Sequence, residues 1–271
     1  MRKPWRVTIG VCIIIALATT MVRAEIKIQT VDYRIGKSEF EGYLAYDPGK
    51  QGKQAAVVVY PAWTGISDNE REHAQRLAEL GYVAFVADTY GKGIHPKPPK
   101  EAGAEASKYM NDRGLYRQHA RAALDQLAKI TAVDPSRIAA IGYCFGGTGA
   151  LELARSGAEV KAVVVFHADL TSPTPEDDKN IKGRVLALHG ADDPIVPAVE
   201  REKFENEMRA AHVDWQLVTY GGAVHCFTDA HAGNDLSHGC AYNAEAEQRS
   251  WRAMLDFFRG RPFNRKTSCS V

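Results

Sequence analysis

Gly142-Tyr143-Cys144-Phe145-Gly146-Gly147 separates a continuously apolar stretch, residues 138–143, from a stretch with helical spacing, residues 147–155. This junction constrains the chain more than any other feature. A strand that turns directly into a helix holds its central residue in a strained conformation, and the neighbours two positions away must lack side chains. The central sulfur is then held above the sheet edge, near a helix N-terminus whose partial positive charge favours a thiolate. An isolated cysteine is more often a packing residue. The strand before it and the helix after it mark Cys144 as a nucleophile.

A nucleophile on such a bend takes an acid and then a histidine from later strand ends, in that chain order. Residues 184–189 read as a strand that runs into Gly190-Ala191-Asp192-Asp193-Pro194. Asp193 is preferred to Asp192 because Pro194, Val196 and Pro197 fix the turn that follows. Residues 215–220 read as the next strand and lead through Gly221 and Gly222 to His225. His225 is placed to exchange a proton with the thiol and the leaving group, and Asp193 to orient it. Other histidines fit less well: His167 and His189 precede the acid, and His73, His119 and His212 read as helical. Two backbone donors are needed for an oxyanion; the N–H of Phe145 and the N–H of Trp63, in the loop after strand 55–60, fill that role. His231, His238 and Cys240, with Asp229 and Asp235, lack a recognised zinc spacing, and no metal is expected.

Along the chain, residues 26–33 and 40–46 alternate apolar and polar, as in a hairpin with one wet face. Buried strands follow at 55–60, 83–87, 138–143, 160–166, 184–189 and 215–220. Helical segments lie between them: one opened by the capping-box spacing of Ser67 and Glu70, then 116–130, 147–155, 199–211 and 241–258. Polar, proline-rich residues 91–100 read as a surface loop. Repeated alternation predicts an α/β fold with a mostly parallel central sheet and helices on both faces. It spans one domain, residues 25–260, with a tail at 261–271.

Residues 1–24 read as a secretory signal rather than part of that fold. Arg2, Lys3 and Arg6 precede an apolar run, 7–22, and Val22-Arg23-Ala24 supplies small residues at the cleavage positions. The run between Arg6 and Arg23 is 16 residues, short of the ~20 that cross a bilayer. Cleavage after Ala24 leaves no stable membrane insertion and predicts a periplasmic or secreted protein. In that oxidising compartment Cys226–Cys240 and Cys240–Cys269 are both open pairings. A balance of 34 basic and 33 acidic residues gives net charge +1, with no general pull toward nucleic acid. The expected partner is a small molecule.

Taken together, these segments resemble the dienelactone hydrolase family of α/β-hydrolases. The resemblance rests on GYCFGG at 142–147, GADDPIVP at 190–197, AVHCF at 223–227, and the loops PAWTGISDNERE at 61–72 and ADTYGKG at 87–93. It implies the α/β-hydrolase fold, a Cys144–His225–Asp193 triad, no cofactor, and hydrolysis of a small ester or lactone. It also points to Tyr90, Lys92 and Phe227 as substrate contacts. Family members that act on dienelactone carry a glutamate where Ala62 stands and an arginine near Thr228 and Asp229. The alternative is a non-catalytic periplasmic binding protein on the same fold. Thiol redox chemistry ranks lower, since no Cys-x-x-Cys is present. A monomer or weak oligomer is expected.

Overall fold

The structure, a computed structural model, describes residues 25–260. The expected signal at 1–24 and the tail at 261–271, with Cys12 and Cys269, lie outside the described residues. Strands β1 (Lys27–Ile35) and β2 (Ser38–Tyr46) form the antiparallel hairpin, with Ile35 opposite Ser38. They are followed by β3 (Gln54–Tyr60), β4 (Val83–Val86), β5 (Val133–Tyr143), β6 (Ala162–Phe166), β7 (Arg184–Gly190) and β8 (Trp215–Tyr220). One eight-stranded sheet results, in the order β1-β2-β4-β3-β5-β6-β7-β8. β2 meets β4 antiparallel, and every pairing from β4 to β8 is parallel.

Alternation along each strand sorts the core into two layers. In β3, Ala56, Val58 and Tyr60 face one layer, whereas Ala55, Val57 and Val59 face the other. Helices α3 (Arg113–Ala128), α4 (Phe145–Arg155) and α5 (Ala198–Ala210) cover the first layer through Leu124, Leu151 and Phe204. Helices α1 (Asp68–Glu79) and α6 (Ala244–Arg259) cover the second through Leu77, Met254 and Phe258. With both faces covered, the central strands have no wet side, which explains their unbroken apolar runs.

Three local differences from the sequence reading have physical causes. Helix α2 (Lys100–Asn111) follows the 91–100 loop, a helix the pattern did not reveal. Its buried face is Ala102, Ala106 and Tyr109, and two alanines give little hydrophobic contrast. Helix α3 starts before 116 because the Asp112 carboxylate accepts the Leu115 N–H at 2.9 Å. Helix α6 starts at Ala244 rather than 241, because Asn243 caps it and the Ala241 N–H is spent on the His225 carbonyl at 3.0 Å. Among the described residues no helix is long and apolar enough to cross a membrane.

Parallel strands joined through helices bring all their C-terminal ends to one edge of the sheet. The loops after β3, β5, β6, β7 and β8 therefore meet there, the usual place for a site in open α/β sheets.

Candidate active site

Cys144 follows β5 and precedes α4, with φ 52° and ψ −123°. The bend is so tight that a Cβ on Gly142 would fall 2.1 Å from the Gly146 carbonyl oxygen, and one on Gly146 2.2 Å from the Tyr60 oxygen. Glycine is therefore required at both. The Cys144 N–H donates to the Phe166 carbonyl at 3.0 Å, tying the bend to β6. Its carbonyl accepts the Gly147 N–H at 3.0 Å, which starts the helix. The thiol itself is half-buried and is the free cysteine among the described residues.

His225 Nε2 lies 3.0 Å from Cys144 Sγ, and His225 Nδ1 lies 2.8 Å from Asp193 Oδ2. Asp193 Oδ1 accepts the backbone N–H of Ile195 at 2.8 Å and of Val196 at 3.2 Å. The turn at Pro194 thus clamps one carboxylate oxygen and leaves the other for the imidazole. Asp192 is turned elsewhere, accepting the Gly222 N–H at 2.9 Å. His225 and Asp193 are 3% and 4% exposed, so their charges act through protein rather than water.

The charges reinforce one another. Burial disfavours the His225 imidazolium, but the charge on Cys144 and the contacts with Asp193 outweigh it and push His225 up to about 10. Burial likewise opposes the Asp193 carboxylate, yet His189, His225 and the Ile195 N–H hold it well below the usual carboxylate range. The arrangement stores a proton on His225 beside a sulfur and steadies it with a fixed anion.

Two further imidazoles surround this centre, and chain order alone did not single them out. His189, at the end of β7, places Nε2 3.2 Å from Asp193 Oδ2, off the axis of a good hydrogen bond. His167, just past β6, meets the His225 ring edge-on at 5.0 Å and pairs with the Thr228 hydroxyl at 2.8 Å. Burial, followed by the charges of His225 and His189, holds His167 well below its ordinary value. Adjacent register on β6 and β7, Phe166 beside Leu188, brings them together; no sequence spacing announces it.

Trp63 occupies the loop after β3. Glu70 anchors that loop by accepting the Ser67 N–H at 3.0 Å, the Ser67 hydroxyl at 2.6 Å and the Ala62 N–H at 3.3 Å. Tyr90 donates its hydroxyl to the Trp63 carbonyl at 2.7 Å. Among the described residues, neither the Trp63 nor the Phe145 N–H has a protein acceptor. Around Cys144, Tyr90, Tyr109, Tyr116 and Phe145 form a buried aromatic cluster, with Trp63, Met110 and Leu115 packed against it. Lys92 is turned to the hairpin, 2.8 Å from Asp32 and 3.1 Å from Glu41. Phe227 is fully buried against Tyr220 and His167. The structure therefore brings Tyr90, but neither Lys92 nor Phe227, into the aromatic cluster on Cys144. His231 lies 3.6 Å from Glu72, His238 lies 3.7 Å from Asp235, and Cys240 is bonded to Cys226.

A family model described as "Dienelactone hydrolase family" matches residues 40–261. The chain belongs to the dienelactone hydrolase family. Its α/β-hydrolase fold is shared with solved relatives. The structure titled m3DLH is 44% identical, with TM-score 0.83, covering 86% of this chain and 98% of that one. A dienelactone hydrolase-like promiscuous phosphotriesterase, P91, from metagenomic libraries is 41% identical with the same TM-score of 0.83 and the same coverage, 86% and 98%. A Synechocystis sp. protein assigned as a carboxymethylenebutenolidase is 27% identical over 236 residues, 82% of this chain and 92% of its own. As a dienelactone hydrolase family member, the protein is a hydrolase of the class acting on ester and lactone bonds.

Proposed function

We propose that the protein is an exported hydrolase that cleaves a small carboxylic ester or lactone through an acyl-Cys144 intermediate. The observation that carries this reading is the continuous contact from Cys144 Sγ through His225 to Asp193, at 3.0 Å and 2.8 Å. Cys144 Sγ attacks the carbonyl carbon, and the electron pair of the C=O bond moves onto oxygen. The N–H groups of Phe145 and Trp63 receive that oxyanion. As the tetrahedral centre collapses, the C–O bond to the leaving group breaks and His225 supplies the proton. Water, deprotonated by His225, then attacks the thioester and returns Cys144. Asp193 stays ionised throughout and holds the imidazole tautomer.

The aromatic cluster beside the sulfur supports an apolar acyl or alkoxy group as the part of the substrate held against Tyr90, Trp63 and Phe145. The 41% identity to P91, a dienelactone hydrolase-like promiscuous phosphotriesterase, supports testing a neutral phosphotriester beside the carboxylic esters. The Cys226–Cys240 bond supports export, since such bonds persist in oxidising compartments. A binding protein without turnover is the competing reading. Turnover of a small activated ester by wild type and Cys144→Ala separates the two. The expected result is loss of turnover in the variant with an unchanged melting temperature; equal rates refute the proposal.

A further inference from the structure

The segment Gly239-Cys240-Ala241 touches His225 and the turn that follows Asp193. The His225 N–H donates to the Gly239 carbonyl at 3.1 Å, and the Ala241 N–H donates to the His225 carbonyl at 3.0 Å. His225 and Cys240 form an isolated parallel bridge, outside the eight-stranded sheet. On its other side the segment meets the turn after Asp193: a Cβ on Gly239 would fall 2.4 Å from Pro194 Cγ. It is thus wedged between the loop of the acid and the loop of the histidine.

Little regular structure holds it there. Residues 228–238 contain two short 3-10 turns, Ala230–Ala232 and Leu236–His238, and residues 233–238 are exposed. The covalent link closes this excursion at its base, joining Cys240 to Cys226, the residue after His225. Both bridged cysteines are half-buried, within reach of a small reductant.

We propose that the Cys226–Cys240 disulfide is a positioning element of the active centre, keeping His225 against Cys144, so that a dithiol reductant lowers turnover. This rests on the reading of Cys144, Asp193 and His225 as the reacting triad. In the reduction, a thiolate of the dithiol attacks one bridge sulfur and the second thiol closes a cyclic disulfide. Two electrons and two protons pass to Cys226 and Cys240, while Cys144 remains a thiol. A reductant ordinarily protects a thiol-dependent enzyme; here it removes the tether of the base.

The test compares untreated, dithiothreitol-treated and re-oxidised wild type with Cys226→Ser/Cys240→Ser and Cys144→Ala. The readouts are kcat and KM on one activated ester, the alkylation rate of the Cys144 peptide by iodoacetamide, and melting temperature. In the reduced enzyme and the serine variant, kcat is expected to fall about ten- to a hundredfold, because sub-ångström alignment of the base is lost. KM should stay within about twofold, Cys144 should alkylate more slowly, and re-oxidation should restore wild-type kcat. Unchanged kcat in both forms overturns the proposal. So does melting below the assay temperature, since the bridge would then be holding the fold instead of His225. Turnover by Cys144→Ala would instead sink the triad reading, and the two failures remain distinct.

Discussion

At the scale of single residues, the proposed reaction depends on where one proton and one negative charge reside. His225 is buried, and burial alone would strip its proton; the charge on Cys144 and the bonds to Asp193 reverse that outcome and raise it to about 10. A group raised in this way keeps its proton below that value and loses it above. The expected pH profile of kcat/KM therefore has a basic limb near pH 10, where the leaving group loses its acid. A basic limb near pH 7 would show that no such imidazolium forms. Asp193→Asn tests the other contact. An amide cannot hold the Nδ1–H tautomer or balance the imidazolium, so kcat should fall on the order of 10²–10⁴-fold. Steady-state rates at pH 7 decide it, and a change below threefold would make Asp193 a bystander.

Elements matter because they deliver these residues to one edge. The bend between β5 and α4 requires glycine at 142 and 146, where any Cβ would meet backbone oxygen at 2.1–2.2 Å. Gly146→Ala is expected to cost about 3 kcal/mol or more in stability, read by chemical denaturation. Loss below 1 kcal/mol would mean that the bend yields to a methyl group. Much of this was legible from residues alone. A glycine-flanked cysteine, an aspartate after a strand and a histidine after the next strand were enough to single out the three side chains that meet. Sheet order, the register that lays His167 and His189 beside them, and the choice of Cys240 as partner of Cys226 were not. Those depend on long-range packing that leaves no periodic trace. Helix α2 escaped for a different reason, since Ala102 and Ala106 bury little apolar surface and barely mark a face. The family resemblance pointed to Lys92 and Phe227 through the loops that carry them, and loop position does not fix where a side chain points.

For the whole molecule, the sheet must stay rigid so that loops from five strand ends hold ångström registry. One buried ionic network contributes, tying α4 to the segment between β6 and β7. Arg155 is fully buried, 2.7 Å from Asp178 and 3.2 Å from Glu152, both also fully buried, and it donates to the Leu170 and Thr171 carbonyls at 3.2 Å. Removing Asp178 leaves the buried Arg155 Nε–H without its acceptor, with Glu152 as the carboxylate still paired to the guanidinium, so Asp178→Ala should cost about 3 kcal/mol. That corresponds to a melting temperature lowered by about 10 °C, which differential scanning calorimetry would show; an unchanged melting temperature would mean water already reaches the pair. In the proposed reaction, all of this serves one chemical event, transfer of an acyl group to Cys144. The most direct test is peptide mass spectrometry of the protein quenched during turnover of an activated ester. The mass of one acyl group on the peptide carrying Cys144, absent from Cys144→Ala, is the expected result. Turnover with no acyl group on that peptide, or with the acyl group on another residue, would contradict it.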